Sequence, residues 1–302
     1  METTHSSGPG PRPVNQHAEE VRRGDRFRFG ANWRSFLKTV TPQKIALAEA
    51  SLGAMLNRPR LDGLRFLDAG SGSGLFSLAA RNLGASVHSF DFDPDSVACT
   101  TGLRDTYFLG DPAWNVEEGS VLSKEYLRGL GTFDIVYSWG VLHHTGAMWQ
   151  AIDNVSEAVA PGGRLFIALY NDQGPKSARW KLAKRTYNAL PSFLKLPFTL
   201  AVMGPRELRM LAGKTLRGKP HQYFDYVSRY AERSLRGMSY WHDIVDWIGG
   251  YPFEVSTPEA TFNFLKSRGF RLDALKTVGA GHGCNEYVFS REARAAEVAE
   301  AA

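Results

Sequence analysis

Along the middle of the chain, short apolar runs ending in acids or glycines alternate with stretches of helical period. Arg65–Ala69, with apolar Phe66, Leu67 and Ala69, has the length and flanks of a buried strand. Leu75, Phe76, Leu78 and Ala79 then mark the apolar face of a helix. Ala85 to Asp91 reads as a second strand, and Asp93-Pro94 as the N-cap and first residue of the next helix. A third strand begins at Trp114 and runs out through Glu118-Gly119-Ser120-Val121-Leu122. Phe133, Ile135, Val136 and Tyr137 give a fourth. Thr145 is expected to cap a helix with Met148, Ile152, Val155 and Val159 on one face. Pro161-Gly162-Gly163 then turns into a fifth strand ending at Tyr170. Strands alternating with helices predict an α/β fold with a largely parallel sheet.

The flanks follow other rules. In 26–40, Phe29, Trp33, Phe36, Leu37 and Val40 fall at helical spacings, with Asn32 beside Trp33. Thr41-Pro42 opens a second helix with Ile45, Ala48, Leu52 and Met55 on its stripe. Near the C-terminus, Thr257-Pro258 starts a helix closed by Arg268-Gly269, and strands Phe270–Val278 and Cys284–Ser290 come after it. Residues 171–257 are too many for an ordinary connection and read as an inserted, mainly helical cap. Within it, Lys176 to Leu190 predicts a helix with Trp180, Ala183, Tyr187 and Leu190 on one side, and Pro191, Pro197 and Pro205 divide the stretch beyond Leu190. Residues 1–24 are expected to form a disordered tail, since Met1 to Gln16 is rich in Gly, Pro, Ser and Thr.

Charge changes this picture in one place. The formal net charge is +5, yet 171–220 holds eleven Lys and Arg against Asp172 and Glu207, so the rest of the chain is mildly acidic. The two cysteines, Cys99 and Cys284, form neither a metal cluster nor a disulfide framework and fit reduced thiols in a cytoplasmic protein. No stretch has the length of an apolar membrane span.

The chemistry is carried by Asp68-Ala69-Gly70-Ser71-Gly72-Ser73-Gly74. Glycines at alternate positions let backbone approach a ligand at the end of the first strand. A dinucleotide turn requires a small third residue, where this chain has Leu75. Asp91 lies where an acid meets a ribose diol. A calcium loop through Asp91, Asp93 and Asp95 lacks its glycine and its distal glutamate. The spacing resembles motif I of the class I S-adenosylmethionine (SAM) methyltransferases. Glu118 to Leu122, the strand-four loop Ser138-Trp139-Gly140-Val141-Leu142-His143-His144 and the Pro161 turn resemble the family's later motifs in order.

That resemblance implies a Rossmann-like sheet of seven strands, mostly parallel, completed by an antiparallel C-terminal hairpin. The SAM-binding core would comprise 25–170 and 258–291, with N-terminal lid helices. It implies SAM contacts from Asp68, Gly70, Ser71, Gly72, Gly74, Asp91, Phe92, Ser120, Val121, Ser138, Trp139 and Trp33. The base candidates are His143 and His144, with Tyr170 as a polar contact; His221, His242 and His282 rank below them, and no metal site is expected. The strand-four loop lacks the Asn/Asp-Pro-Pro-Tyr signature of DNA methylases and resembles the small-molecule branch, including the methylases of quinone biosynthesis. The expected acceptor is a small, anionic metabolite steered by the basic segment, methylated on O, N or C. An RNA-modifying enzyme and a SAM-fold protein without methyl transfer are the alternatives. Nucleic acid is disfavoured as a partner, and a peripheral membrane contact through Phe193 to Met203 ranks below a buried helix there. Oligomeric state is not legible.

Overall fold

The computed structural model describes residues 13–30, 33, 40–230 and 239–292. Seven strands carry it: β1 (Arg65–Ala69), β2 (Ser86–Asp91), β3 (Trp114–Glu118), β4 (Phe133–Trp139), β5 (Val159–Tyr170), β6 (Phe270–Lys276) and β7 (Cys284–Arg291). They form one sheet in the order β3-β2-β1-β4-β5-β7-β6. The first five run parallel, while β7 lies antiparallel between β5 and β6. Chain order reverses between β1 and β4, so the carboxyl ends of β1, β2 and β4 open on a common crevice, where such sheets bind ligands.

Alternation along each strand divides the core. Leu67, Val136 and Ile167 pack on one face against Ile152 and Val155 of the Met148–Glu157 helix and Leu265 of the Pro258–Lys266 helix. Phe66, Ile135 and Phe166 pack on the other against Leu52 and Leu56 of the Pro42–Leu56 helix and Leu78 of the Leu75–Asn82 helix. Thr41, Asp93 and Thr257 cap their helices as the sequence requires, each accepting a backbone N–H of the first turn.

The helices Pro175–Ala189, Ser192–Leu216, His221–Ser228 and Tyr240–Gly249 lie between β5 and the last helix. The two ends of this insertion are clasped: Asn171 bridges Ser256, and Ser256 N–H donates to the Tyr170 carbonyl. Tyr187, Met203, Ile244 and Ile248 form a small core of its own.

Several local expectations are corrected. Pro13–Arg23, placed in the tail, is a helix. Phe27 to Phe29 are not helical, and Phe27 N–H donates to the Tyr251 carbonyl; Asn32, Phe36 and Leu37 lie outside the described residues. The helix after β4 begins at Met148, because Leu142–His144 first makes a 3-10 turn whose carbonyl at Leu142 accepts the Thr145 hydroxyl. Val159 begins β5. Pro197 and Pro205 sit inside the 25-residue Ser192–Leu216 helix. Packing of Phe198, Val202 and Met203 on the insertion's core holds that helix where a proline would break it.

Candidate functional site

The chain turns at the end of β1 because three successive alternate residues have positive φ, Gly70 at 91°, Gly72 at 55° and Gly74 at 79°. A Cβ on Gly70 would lie 2.4 Å from Val141, so the turn fits only without a side chain. Gly72 N–H donates to Asp91 Oδ2 at 2.9 Å, and Asp93 N–H donates to Oδ1 at the same distance. Parallel register thus brings the acid at the end of β2 against the glycine turn at the end of β1.

A buried chain of hydrogen bonds stands behind that turn. Trp114 Nε1–H donates to Ser89, Ser89 to Ser77, and Ser77 Oγ–H to the Asp68 carboxylate. Burial pushes Asp68 up to about 7, partly opposed by the Ser77 bond. Burial likewise pushes Asp91 up to about 6 against the pull of its two backbone donors.

These groups face a cavity of about 590 Å³. Its wall takes Asp68, Gly70, Ser71, Gly72, Asp91, Phe92, Ser120, Val121, Trp139 and Trp33 from the expected cofactor set, and His144 and Tyr170 from the expected catalytic set. Three expected residues stand off it. Gly74 caps the following helix and packs on Thr100, whose Cα would lie 2.9 Å from a Cβ there. Ser138 is buried and donates to the Ala69 carbonyl at 2.7 Å, tying β4 to β1. His143 is buried behind Tyr170, with ring centroids 3.9 Å apart, and its Nδ1 accepts the Tyr170 N–H.

His144 holds the other end of the cavity. Its Nδ1 lies 2.6 Å from the Pro252 carbonyl, which can only accept. A proton therefore sits on Nδ1, and the ring, when neutral, carries its lone pair on Nε2. Phe29 and Tyr170 flank the ring at 4.8 and 5.3 Å between centroids, and Arg26 donates to the His144 carbonyl. His282 packs between Trp180 and Trp247, and His221 is exposed on the insertion. Neither reaches the wall, and the His242 side chain lies outside the described residues.

An N-terminal lid was expected as helices, but which of its residues besides Trp33 reach the cavity was not foreseen. His17, Glu20, Arg26, Phe27 and Phe29 all line the cavity. Gly30 N–H donates to Asp93 at 2.8 Å, and His17 Nε2 lies 3.6 Å from the same carboxylate. Burial lowers the His17 pKa, with Asp93 pulling the other way. The guanidinium of Arg26 sits 4.9 Å over the Phe92 ring. The alternation Arg26-Phe27-Arg28-Phe29 was the available signal, since period two marks extended backbone. None of the eleven cations in 171–220 reaches the wall. Lys184, one of the cations expected to steer an acceptor, is buried; its ammonium donates to the Trp247 carbonyl and lies 4.3 Å over that indole.

A family model for methyltransferase domains matches residues 67–165. A ubiquinone biosynthesis O-methyltransferase from Xanthomonas oryzae is 31% identical over 246 residues, which cover 78% of this chain and 88% of that protein. The chain belongs to the class I SAM-dependent methyltransferases. A protein of the same description from Rhizobium etli is 32% identical over 123 residues, 40% of this chain and 48% of that protein. The chain thus spans about half the length of the first curated relatives it matches. Among solved structures, the magnesium protoporphyrin IX methyltransferase of Synechocystis with bound S-adenosylhomocysteine (SAH) is 15% identical, covers 94% of this chain and 90% of its own, and has a TM-score of 0.46.

SAM is the cofactor of this methyltransferase family, and the residues present fit it. The glycine turn leaves room that a Cβ at Gly72, 3.2 Å from the Trp33 indole, would fill. Asp91 places carboxylate lone pairs at the cavity wall, the chemistry that a ribose diol requires. Once ionised, above about 7 for Asp68 and about 6 for Asp91, these carboxylates together with Asp93 give that end of the cavity the negative character suited to a sulfonium cation.

Proposed function

We propose that this protein transfers a methyl group from SAM to a nucleophilic oxygen, nitrogen or carbon of a small acceptor, with His144 as general base. A single cavity joining the glycine turn and Asp91 to His144 and Tyr170 supports the reading most directly. SAM, when bound, supplies a methyl carbon already activated on a sulfonium. The chain's own residues then have to align, exclude water and hold a proton. Gly70, Gly72 and Asp91 would fix the donor. Phe27, Phe29 and Tyr170 line the other end with rings, which favours a flat aromatic acceptor. His144 would accept the acceptor's proton on Nε2, its tautomer set by the Pro252 carbonyl. Among the named relatives, the ubiquinone biosynthesis O-methyltransferases transfer to oxygen by their description, and a hydroxyl oxygen is a weak nucleophile until a base takes its proton. The basic segment lends no support to an anionic acceptor or to RNA, since its cations stay off the wall.

The test pairs an acceptor that needs a base with one that does not. SAH formation is followed at about pH 8 with 4-ethylphenol, which stays protonated there, and with 4-nitrophenol, which is largely ionised. His144→Asn should lower the rate with 4-ethylphenol by about 100-fold and with 4-nitrophenol far less. Equal losses would remove the base role. Failure of the wild-type protein to bind SAM in calorimetry would remove the whole reading.

A further inference from the structure

Among the described residues of 171–257, Asp246 alone lines the cavity. It lies on the Tyr240–Gly249 helix, is buried, and its carbonyl accepts the Gly250 N–H at 2.9 Å. Gly250 in turn abuts the candidate base: a Cβ there would lie 3.1 Å from His144 Cε1 and 3.5 Å from Phe29. The fold therefore sets Asp246 one helical turn from the residue that packs on the His144 ring.

Lys184 stands behind this wall. Its Nζ lies 4.3 Å over the Trp247 ring, 4.9 Å over Phe253 and 5.9 Å from the Tyr170 centroid. Burial draws its pKa down to about 7, and the charge of Asp246 opposes that fall. A buried ammonium beside a buried carboxylate makes each charge less costly to keep. Among the described residues, the two cations on the cavity wall itself are already engaged, Arg26 with Glu20 at 2.6 Å and Lys276 with Glu286 at 3.7 Å. The aromatic end of the cavity thus meets an acceptor with a buried carboxylate in its wall, and its wall cations are paired with other carboxylates.

We propose that Asp246 is the acceptor-selecting residue, taking a hydrogen bond from a hydroxyl, N–H or ammonium on an aromatic acceptor and disfavouring acceptors that carry a carboxylate. The proposal rests on the methyl-transfer reading above and reverses the expectation of an anionic acceptor. A carboxylate only accepts hydrogen bonds, and a second negative charge brought to it in a water-poor site is repelled. Lys184 is the positioning residue: it supplies the countercharge and holds the Trp247 backbone beside Asp246.

The experiment uses the full chain loaded with SAH and three phenols of one shape and different charge: tyramine, 4-ethylphenol and 4-hydroxyphenylacetate. Calorimetry should give affinity in that order, with at least about tenfold between the cation and the anion, or about 1.4 kcal/mol. Asp246→Asn should shrink that spread to threefold or less at unchanged SAH affinity. If Asp246→Asn does not fold, Lys184→Met is the second variant; losing the countercharge should shrink the spread, whereas a merely structural lysine would leave it. An order led by 4-hydroxyphenylacetate, a spread unchanged in the variants, or binding of none of the three overturns the proposal. Absence of SAH binding by the wild-type protein instead overturns the reading on which it rests.

Discussion

The SAM edge and the insertion reach the same cavity by different physics. At the edge, parallel register does the work: β1 and β2 pair from Arg65 opposite Ser86 to Ala69 opposite Phe90, so a glycine turn and an acid arrive side by side. Each functional group there sits at a strand end, and few degrees of freedom separate its position in the chain from its position in space. In the insertion, Lys184, Asp246 and Trp247 meet because two helices more than fifty residues apart pack face to face around a cluster of rings. Geometry at the edge is a property of turns. Geometry in the insertion is a property of packing, so damage to the two should separate into lost ligand and lost stability.

The largest effect expected is at the edge. Gly70→Val combines a positive φ with a Cβ 2.4 Å from Val141. Backbone strain of about 1–3 kcal/mol adds to that clash, and SAM affinity should fall by about 100-fold or more, measured by calorimetry. Retained affinity would mean that the turn does not form the donor site.

Next comes the contrast inside one helix. Lys184→Ala empties a fully buried site and should lower stability by about 3 kcal/mol in denaturant unfolding, by analogy with buried large-to-small changes. The exposed pair Lys181→Gln and Arg185→Gln should change it by about 0.5 kcal/mol at most. SAM affinity should hold in both proteins. Equal stabilities would place Lys184 on the surface beside Lys181 and Arg185.

The smallest effect is a pH dependence confined to the edge. Burial holds Asp68 and Asp91 protonated up to about 7 and about 6. In the unfolded chain both ionise near pH 4. Between about 4 and 7 the folded protein holds the extra protons, so these two groups make its stability without ligand fall as pH rises through that window and level off above it. A bound sulfonium cation favours the ionised carboxylates, so SAM affinity should rise, by about tenfold, from pH 5 to 7.5. Asp91→Asn should flatten part of that rise, and a slope unchanged in both Asp91→Asn and Asp68→Asn would show that these carboxylates do not sense the donor.

Much of the edge was legible because local rules sufficed. Alternating glycines, an acid closing the next strand, and N-caps such as Asp93 and Thr257 each state a backbone conformation without reference to distant residues. The strap at Arg26 to Phe29 was misjudged because its aromatics also match a helical period, and only the pairing of Phe27 with Tyr251 decides for an extended chain. Pro197 and Pro205 misled for a related reason: propensity is weak beside the packing of a long helix.

By itself the sequence determined the order of strands and helices, the turn that meets a donor, and the acid beside it, since these depend on φ preferences and on periodicities of two and 3.6 residues. It did not determine which of two adjacent histidines faces the cavity. Within the 3-10 turn after β4 the two ring centroids lie 4.5 Å apart, yet His144 lines the wall while His143 lies behind Tyr170, and the Pro252 carbonyl, from a segment over a hundred residues away, fixes the His144 proton. Nor did it reveal that one lysine of a basic run is buried while its neighbours at 181 and 185 are exposed. Charge counts along a chain describe an unfolded string. Whether a charge meets water, a ring or a carboxylate is settled only when distant helices close over it, and the electrostatic character of the acceptor end was therefore decided by tertiary structure.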